Sequence, residues 1–109
     1  MDFQHKTLAE GRWQELSLAE QMGNIGSEIG RLLRWRDKDE KLCQNSFERA
    51  LELLYLTIQD PRWRNRLKEL TRVREFLIDA MNGGKEYENK LEDLDSYFFQ
   101  FALAAKRNK

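Results

Sequence analysis

Cations are the residues of this sequence whose type and spacing most readily suggest a chemistry. From position 62 to position 75 six basic residues, Arg62, Arg64, Arg66, Lys68, Arg72 and Arg74, meet two acids, Glu69 and Glu75. Arg64, Lys68 and Arg72 recur every four residues. On one helix they form a stripe that can follow a phosphate backbone or an acidic protein surface. Five of the six are arginines, and the planar guanidinium favours bidentate phosphate recognition. Trp63 lies among them and can stack on an unpaired base, although it also falls on the apolar period and fits a core position. The competing reading is a solvated face tied by intrahelical pairs, Arg66 with Glu69 and Arg72 with Glu75. The candidate nucleic-acid-binding set is therefore Arg62, Arg64, Arg66, Lys68 and Arg72.

Catalysis has little to build on. The one histidine, His5, has no placed Ser or Cys partner for nucleophilic chemistry and no Glu-x-x-His spacing for a di-iron bundle. The one cysteine, Cys43, makes no internal disulfide, and a single thiol with a single imidazole does not complete a four-ligand zinc site. The acids stand at salt-bridge spacing from arginines and not in a cluster on an apolar background. The expectation is a protein that is not an enzyme and uses no metal or cofactor. Nineteen basic residues balance nineteen acidic ones, so no overall field draws the chain to nucleic acid or membrane, and any such binding must be local. No stretch approaches the ~20 apolar residues of a membrane span. The first ten residues lack a signal peptide's apolar centre. A cytoplasmic, membrane-free protein is expected.

A chain of 109 residues, 35% charged and with one proline, reads as a single all-α domain over 1–109. Residues 1–12 show no sustained period and read as a flexible arm. Ser17-Leu18-Ala19-Glu20 has the form of a capping box, predicting a helix whose buried face carries Leu18, Met22, Ile25, Ile29, Leu32 and Leu33. A second helix is expected over about 40–59, apolar on so much of its circumference that it belongs at the centre or at a subunit interface. Asp60-Pro61 supplies an N-cap and first-turn proline for a third helix over 61–81, burying Trp63, Leu67, Leu70, Val73, Leu77 and Met81 and ending at Asn82-Gly83-Gly84. The charged stretch 85–90 reads as a loop, and 91–105 as a fourth helix. The predicted architecture is a four-helix up-and-down bundle with an N-terminal arm.

Two features ask for neighbours. Gly23, Gly26 and Gly30 lie inside the first helix, each costing about 0.8–1.0 kcal/mol of propensity relative to alanine. Contact with another helix across that smooth strip offsets the cost. Tyr97, Phe98, Phe99 and Phe101 spread around the fourth helix, so one face does not absorb them all. Tyr97, Phe99, Phe101 and Leu103 form the candidate partner interface, for a homo-oligomer or for a protein partner.

The segment from Trp13 to Glu28, with Phe47-Glu48-Arg49-Ala50-Leu51-Glu52-Leu53 and Arg66-Leu67-Lys68-Glu69-Leu70, resembles small uncharacterised prokaryotic helical proteins. Asn24-Ile25 followed by Gly30-Arg31, then Phe47 and Ala50-Leu51, is similar to the four-helix bundles of the 23S rRNA intervening-sequence family. That family includes the accessory protein of diversity-generating reverse transcriptases. The resemblance covers about a third of the chain and lacks the family's proline-containing approach to the first motif. It implies an up-and-down bundle, a cyclic oligomer, and binding to RNA or to a polymerase. The expected function is a non-enzymatic oligomeric adaptor binding RNA or DNA through the Arg-rich third helix. The alternative is a protein scaffold or regulatory subunit docking through the aromatic fourth helix.

Overall fold

The computed structural model describes residues 11–84 and 90–107. Within them the chain is all-α, with α1 at Leu18–Trp35, α2 at Glu40–Ile58, α3 at Leu67–Met81 and α4 at Leu91–Arg107. Short 3-10 turns stand at Trp13–Glu15 and Pro61–Arg66. The expected four-helix fold is present. The arm, apart from Gly11 and Arg12, and the charged stretch at 85–89 lie outside the described residues.

α1 and α2 start where their sequence offers a cap. The Ser17 hydroxyl accepts from the Glu20 N–H at 3.1 Å, and the Glu20 carboxylate accepts from the Ser17 N–H at 3.0 Å. These two bonds close the capping box and satisfy donors the first turn leaves free. Asp39 accepts from the Leu42 N–H at 3.0 Å and so opens α2 after a short polar link. A link of that length sets α1 and α2 as antiparallel neighbours.

α1 is the central element, packed along its length by α2 on one side and α4 on the other, while α3 meets α2 and α4 more sparingly. Met22, Ile25, Ile29 and Leu32 of α1 are fully enclosed with Ala50, Leu53 and Leu54 of α2, Leu70, Val73 and Leu77 of α3, and Leu91, Leu94 and Phe98 of α4. The wide apolar surface of α2 predicts a place at the centre or at a subunit interface, and the structure puts α1 at the centre. The reason lies in the glycine strip. It provides α1 with a second contact face that hydrophobicity does not reveal, while Leu42 and Tyr55 of α2 stay exposed.

α4 crosses that strip closely. A Cβ placed on Gly26 lies 2.7 Å from the Phe98 Cβ, and one on Gly23 lies 3.3 Å from the Ala102 Cα. One on Gly30 meets nothing nearer than an Asp95 carboxylate oxygen at 4.0 Å. Opposite signs of substitution follow. Gly26→Ala forces helix backbones apart and is expected to destabilise by about 1–3 kcal/mol. Gly30→Ala gains helix propensity without a clash and is expected to stabilise by about 0.5–1 kcal/mol. Denaturant midpoints of the two variants decide this, and a shift of the same sign in both removes the close-packing account.

The third helix departs from its predicted span. Asp60 accepts from the Arg62 N–H at 3.0 Å, and Pro61 occupies the first position. The turn they begin is 3-10, however, and Trp63 (φ −103°, ψ 23°) and Arg66 (φ −113°, ψ 9°) break regular helix before α3 starts at Leu67. At three residues per turn the apolar register slips, and Leu67, expected in the core, is 41% exposed. The far end follows expectation: Gly83 and Gly84 take φ +97° and +71°, and the Gly84 N–H donates to the Asp79 carbonyl at 2.8 Å.

Candidate nucleic-acid interface

The 3-10 turn that carries the first arginines is fixed by an enclosed polar latch. The Trp13 indole N–H donates to the Thr57 hydroxyl at 3.0 Å, and that hydroxyl donates to the Leu53 carbonyl at 3.0 Å. The Gln21 amide donates to the Trp13 carbonyl (2.8 Å) and to Asp60 (3.3 Å), while its oxygen accepts from the Trp63 indole at 2.8 Å. Asp60 in turn receives Arg62, whose Nη2 donates to Oδ2 at 2.7 Å and to the Leu16 carbonyl at 2.7 Å. Gln21, Thr57 and Asp60 are buried, and each has its hydrogen-bonding capacity met from a different stretch of chain, as enclosed polar groups require.

One sequence expectation changes here and one is met. Arg62, read as a phosphate ligand, is bound to Asp60 and Leu16, and its guanidinium lies 4.4 Å over the Trp63 ring. Trp63 packs against the core, as its place on the apolar period suggests, and donates to Gln21. The Arg62 hydrogen bond holds the Asp60 carboxyl below the usual carboxylate range, against the upward push of burial, and the same bond raises the Arg62 guanidinium. Sequence reasoning read Asp60 only as a cap and left Trp13, Gln21 and Thr57 without roles. Gln21 gives a visible signal in retrospect, being a polar residue beside Met22 on the apolar face of α1.

Beyond the latch the cations divide. Arg66 forms a forked pair with Glu69, Nη2 reaching its carboxylate at 3.0 Å, so the solvated-pair reading holds for that residue. Arg64, Lys68 and Arg72 are exposed, and none joins an ion pair among the described residues. The pairing expected between Arg72 and Glu75 is not formed. The kink also breaks the predicted stripe, since Arg64 sits in the 3-10 turn while Lys68 and Arg72 stand on α3 itself. Near the end of α1, Arg31 pairs with the buried Glu28, and Arg36 reaches Glu92 of α4 at 3.0 Å.

Lys68 and Arg72 edge a cleft of about 770 Å³ between α3 and α4, with Val73, Phe76, Leu94 and Tyr97 as its apolar and aromatic surface. The Tyr97 hydroxyl donates to Glu69 at 2.5 Å across the gap. That bond, with Arg66 assisting, keeps the Glu69 carboxyl below its ordinary range. Burial and the adjoining carboxylate push the Tyr97 phenol well above its ordinary value. Near neutral pH the strut is an ionised acceptor and a neutral donor. The cleft has an apolar floor, and its rim sets the cations Arg66, Lys68 and Arg72 beside the acids Glu69 and Asp93.

The predicted partner set on α4 divides as well. Phe98 is enclosed, and Tyr97 stands edge-on to Phe98 and Phe101 at centroid distances of 5.2 and 5.4 Å. Tyr97 and Phe101 are thus part of the internal packing. Phe99 (60% exposed) and Leu103 (43% exposed) remain outside, four residues apart on one face. Gly23 and Gly26 of the helix-packing set lie under α4, and Gly30 lies at the margin of the crossing.

No protein family, curated protein or solved structure matches this chain. Among the described residues no helix is long and apolar enough to cross a membrane.

Proposed function

We propose that this four-helix bundle is a non-enzymatic oligomeric adaptor that binds RNA or DNA through Arg64, Lys68 and Arg72. The carrying observation is that these three cations are exposed and unpaired among the described residues, while Arg62 and Arg66 beside them are engaged by acids. Cations left without acids keep their charge available for phosphates, and their contacts add through counterion release. The neighbouring cleft admits an unstacked base, so a single strand fits this surface better than a duplex. The lone buried Cys43 suits a reducing cytoplasm.

Fluorescence anisotropy of labelled RNA and DNA at low and physiological salt tests this. The expected result is binding whose logarithm falls with log salt at a slope of about −2 for a single strand making three phosphate contacts. Arg64, Lys68 and Arg72 changed together to alanine should abolish it, with the helical circular dichroism unchanged. Absence of binding at low salt, or an unaffected triple variant, removes the nucleic-acid reading. A second reading, a scaffold or regulatory subunit docking a protein partner through α4 with no nucleic-acid role, draws on the exposure of Phe99 and Leu103.

A further inference from the structure

We propose that α4 pairs antiparallel with the α4 of a second copy of the chain, about a two-fold axis passing between Phe99 and Leu103. The inference deepens the oligomeric part of the reading above and does not depend on the cations of α3.

Asp95, Phe99, Leu103 and Arg107 follow one another at steps of four along α4, which places them on one ridge of the helix. Phe99, Leu103 and Arg107 are exposed, and Asp95 is half-buried. Neither Asp95 nor Arg107 joins an ion pair among the described residues. The ridge reads acid, apolar, apolar, base. Turned end for end it reads base, apolar, apolar, acid, so an antiparallel copy sets Asp95 against Arg107 and Phe99 against Leu103 at every position. A parallel copy sets acid on acid and base on base, which disfavours it. Such self-complementarity is the requirement of an isologous contact. An unrelated partner must carry the matching ridge by coincidence, whereas a second copy carries it by identity.

The surface beside the ridge suits close approach. Phe99 borders a hollow of about 170 Å³ whose other walls include Gly23, Gly26 and Ser27 of α1. The α1 walls of that hollow are small, with Phe98 and Ala102 of α4 closing its base, so the partner's apolar pair can rest at its mouth. A ridge of four residues with this border is a small interface, so the expected dissociation constant is about 1–100 μM.

Sedimentation equilibrium of the full chain from about 1 to about 300 μM tests the proposal. The mass should rise from 13.1 kDa toward twice that value. Phe99→Asp and Leu103→Asp, both at exposed positions, should hold it at the single-chain mass with unchanged helical circular dichroism. Arg107→Glu should weaken association by about 10-fold, and adding Asp95→Lys to it should restore most of the loss. The Arg64, Lys68 and Arg72 triple variant should associate like wild type, which separates this test from that of nucleic-acid binding. A wild type that stays at single-chain mass overturns the proposal. So does assembly indifferent to Phe99→Asp, or a charge exchange that restores nothing.

Discussion

Trp13→Ala is expected to lower the unfolding free energy by about 3–5 kcal/mol, a large part of what holds a domain of this size together. The side chain is completely enclosed although it stands ahead of the first long helix. Its removal opens a cavity that the latch around it cannot collapse into, because Gln21, Thr57 and Asp60 are held by one another and by the backbone. The void and the lost burial dominate the effect. The Thr57 hydroxyl keeps its bond to the Leu53 carbonyl and is not stranded. Trp13→Phe, which retains most of the volume but loses the indole N–H, should cost about 1–2 kcal/mol. Urea unfolding of both variants measures this, the midpoint falling while the slope holds. An unmoved midpoint for Trp13→Ala would falsify the assignment of this residue to the core.

Asp60→Ala should cost about 2–4 kcal/mol and change the response to acid. The carboxylate is 1% exposed, and the guanidinium it binds is 40% exposed. Losing the acid therefore takes one acceptor from the Gln21 amide, which keeps the Trp13 carbonyl, while Arg62 turns partly to water and softens the penalty. The cap on the 3-10 turn goes with it, worth about 1 kcal/mol of that total. The folded carboxyl titrates below its unfolded value of 3.8. Its stabilisation is therefore complete above that value and is lost as pH falls through it toward the lower folded one. Glu69 and Glu92, lowered by Tyr97 and Arg36 respectively, act in the same direction. Wild-type stability should thus decline on the acid side of about pH 4. Asp60→Asn should be less stable at neutral pH and decline less steeply there, and urea midpoints taken from about pH 7 to about pH 2.5 compare the two. Equal acid slopes would remove Asp60 from the account.

How far the sequence reveals the fold depends on whether a feature is local. Ser17 and the glycine pair at 83–84 act within a turn of their own positions, and the helix ends they predict are where the structure has them, whereas Asp60 caps a 3-10 turn and α3 starts only at Leu67. The kink between Trp63 and Arg66 is not local in this sense. It is enforced by bonds from Trp63 to Gln21 and from Arg62 to Leu16, partners 42 and 46 residues away. Helical periodicity contains no trace of those bonds. The candidate site shows the same division. Exposed Arg64, Lys68 and Arg72 are legible as a cationic run, whereas the capture of Arg62 by the latch depends on Asp60 being enclosed. On α4 the aromatic run announces an excess of rings, yet only packing distinguishes Phe98 inside from Phe99 outside.

The crossing of α4 over the glycine strip also has a consequence for synthesis. Gly26 and Phe98 are separated by about 70 residues, so at ribosomal rates of ~5–20 residues per second α1 emerges about 4–14 s before the helix that covers it. α2 can dress one face of α1 during that interval, and the other face must wait in water. A waiting surface of leucine would attract other nascent chains. One made of glycine with Ser27 offers little to hold, so the groove α4 needs for its close approach is also a face that remains quiet until α4 arrives.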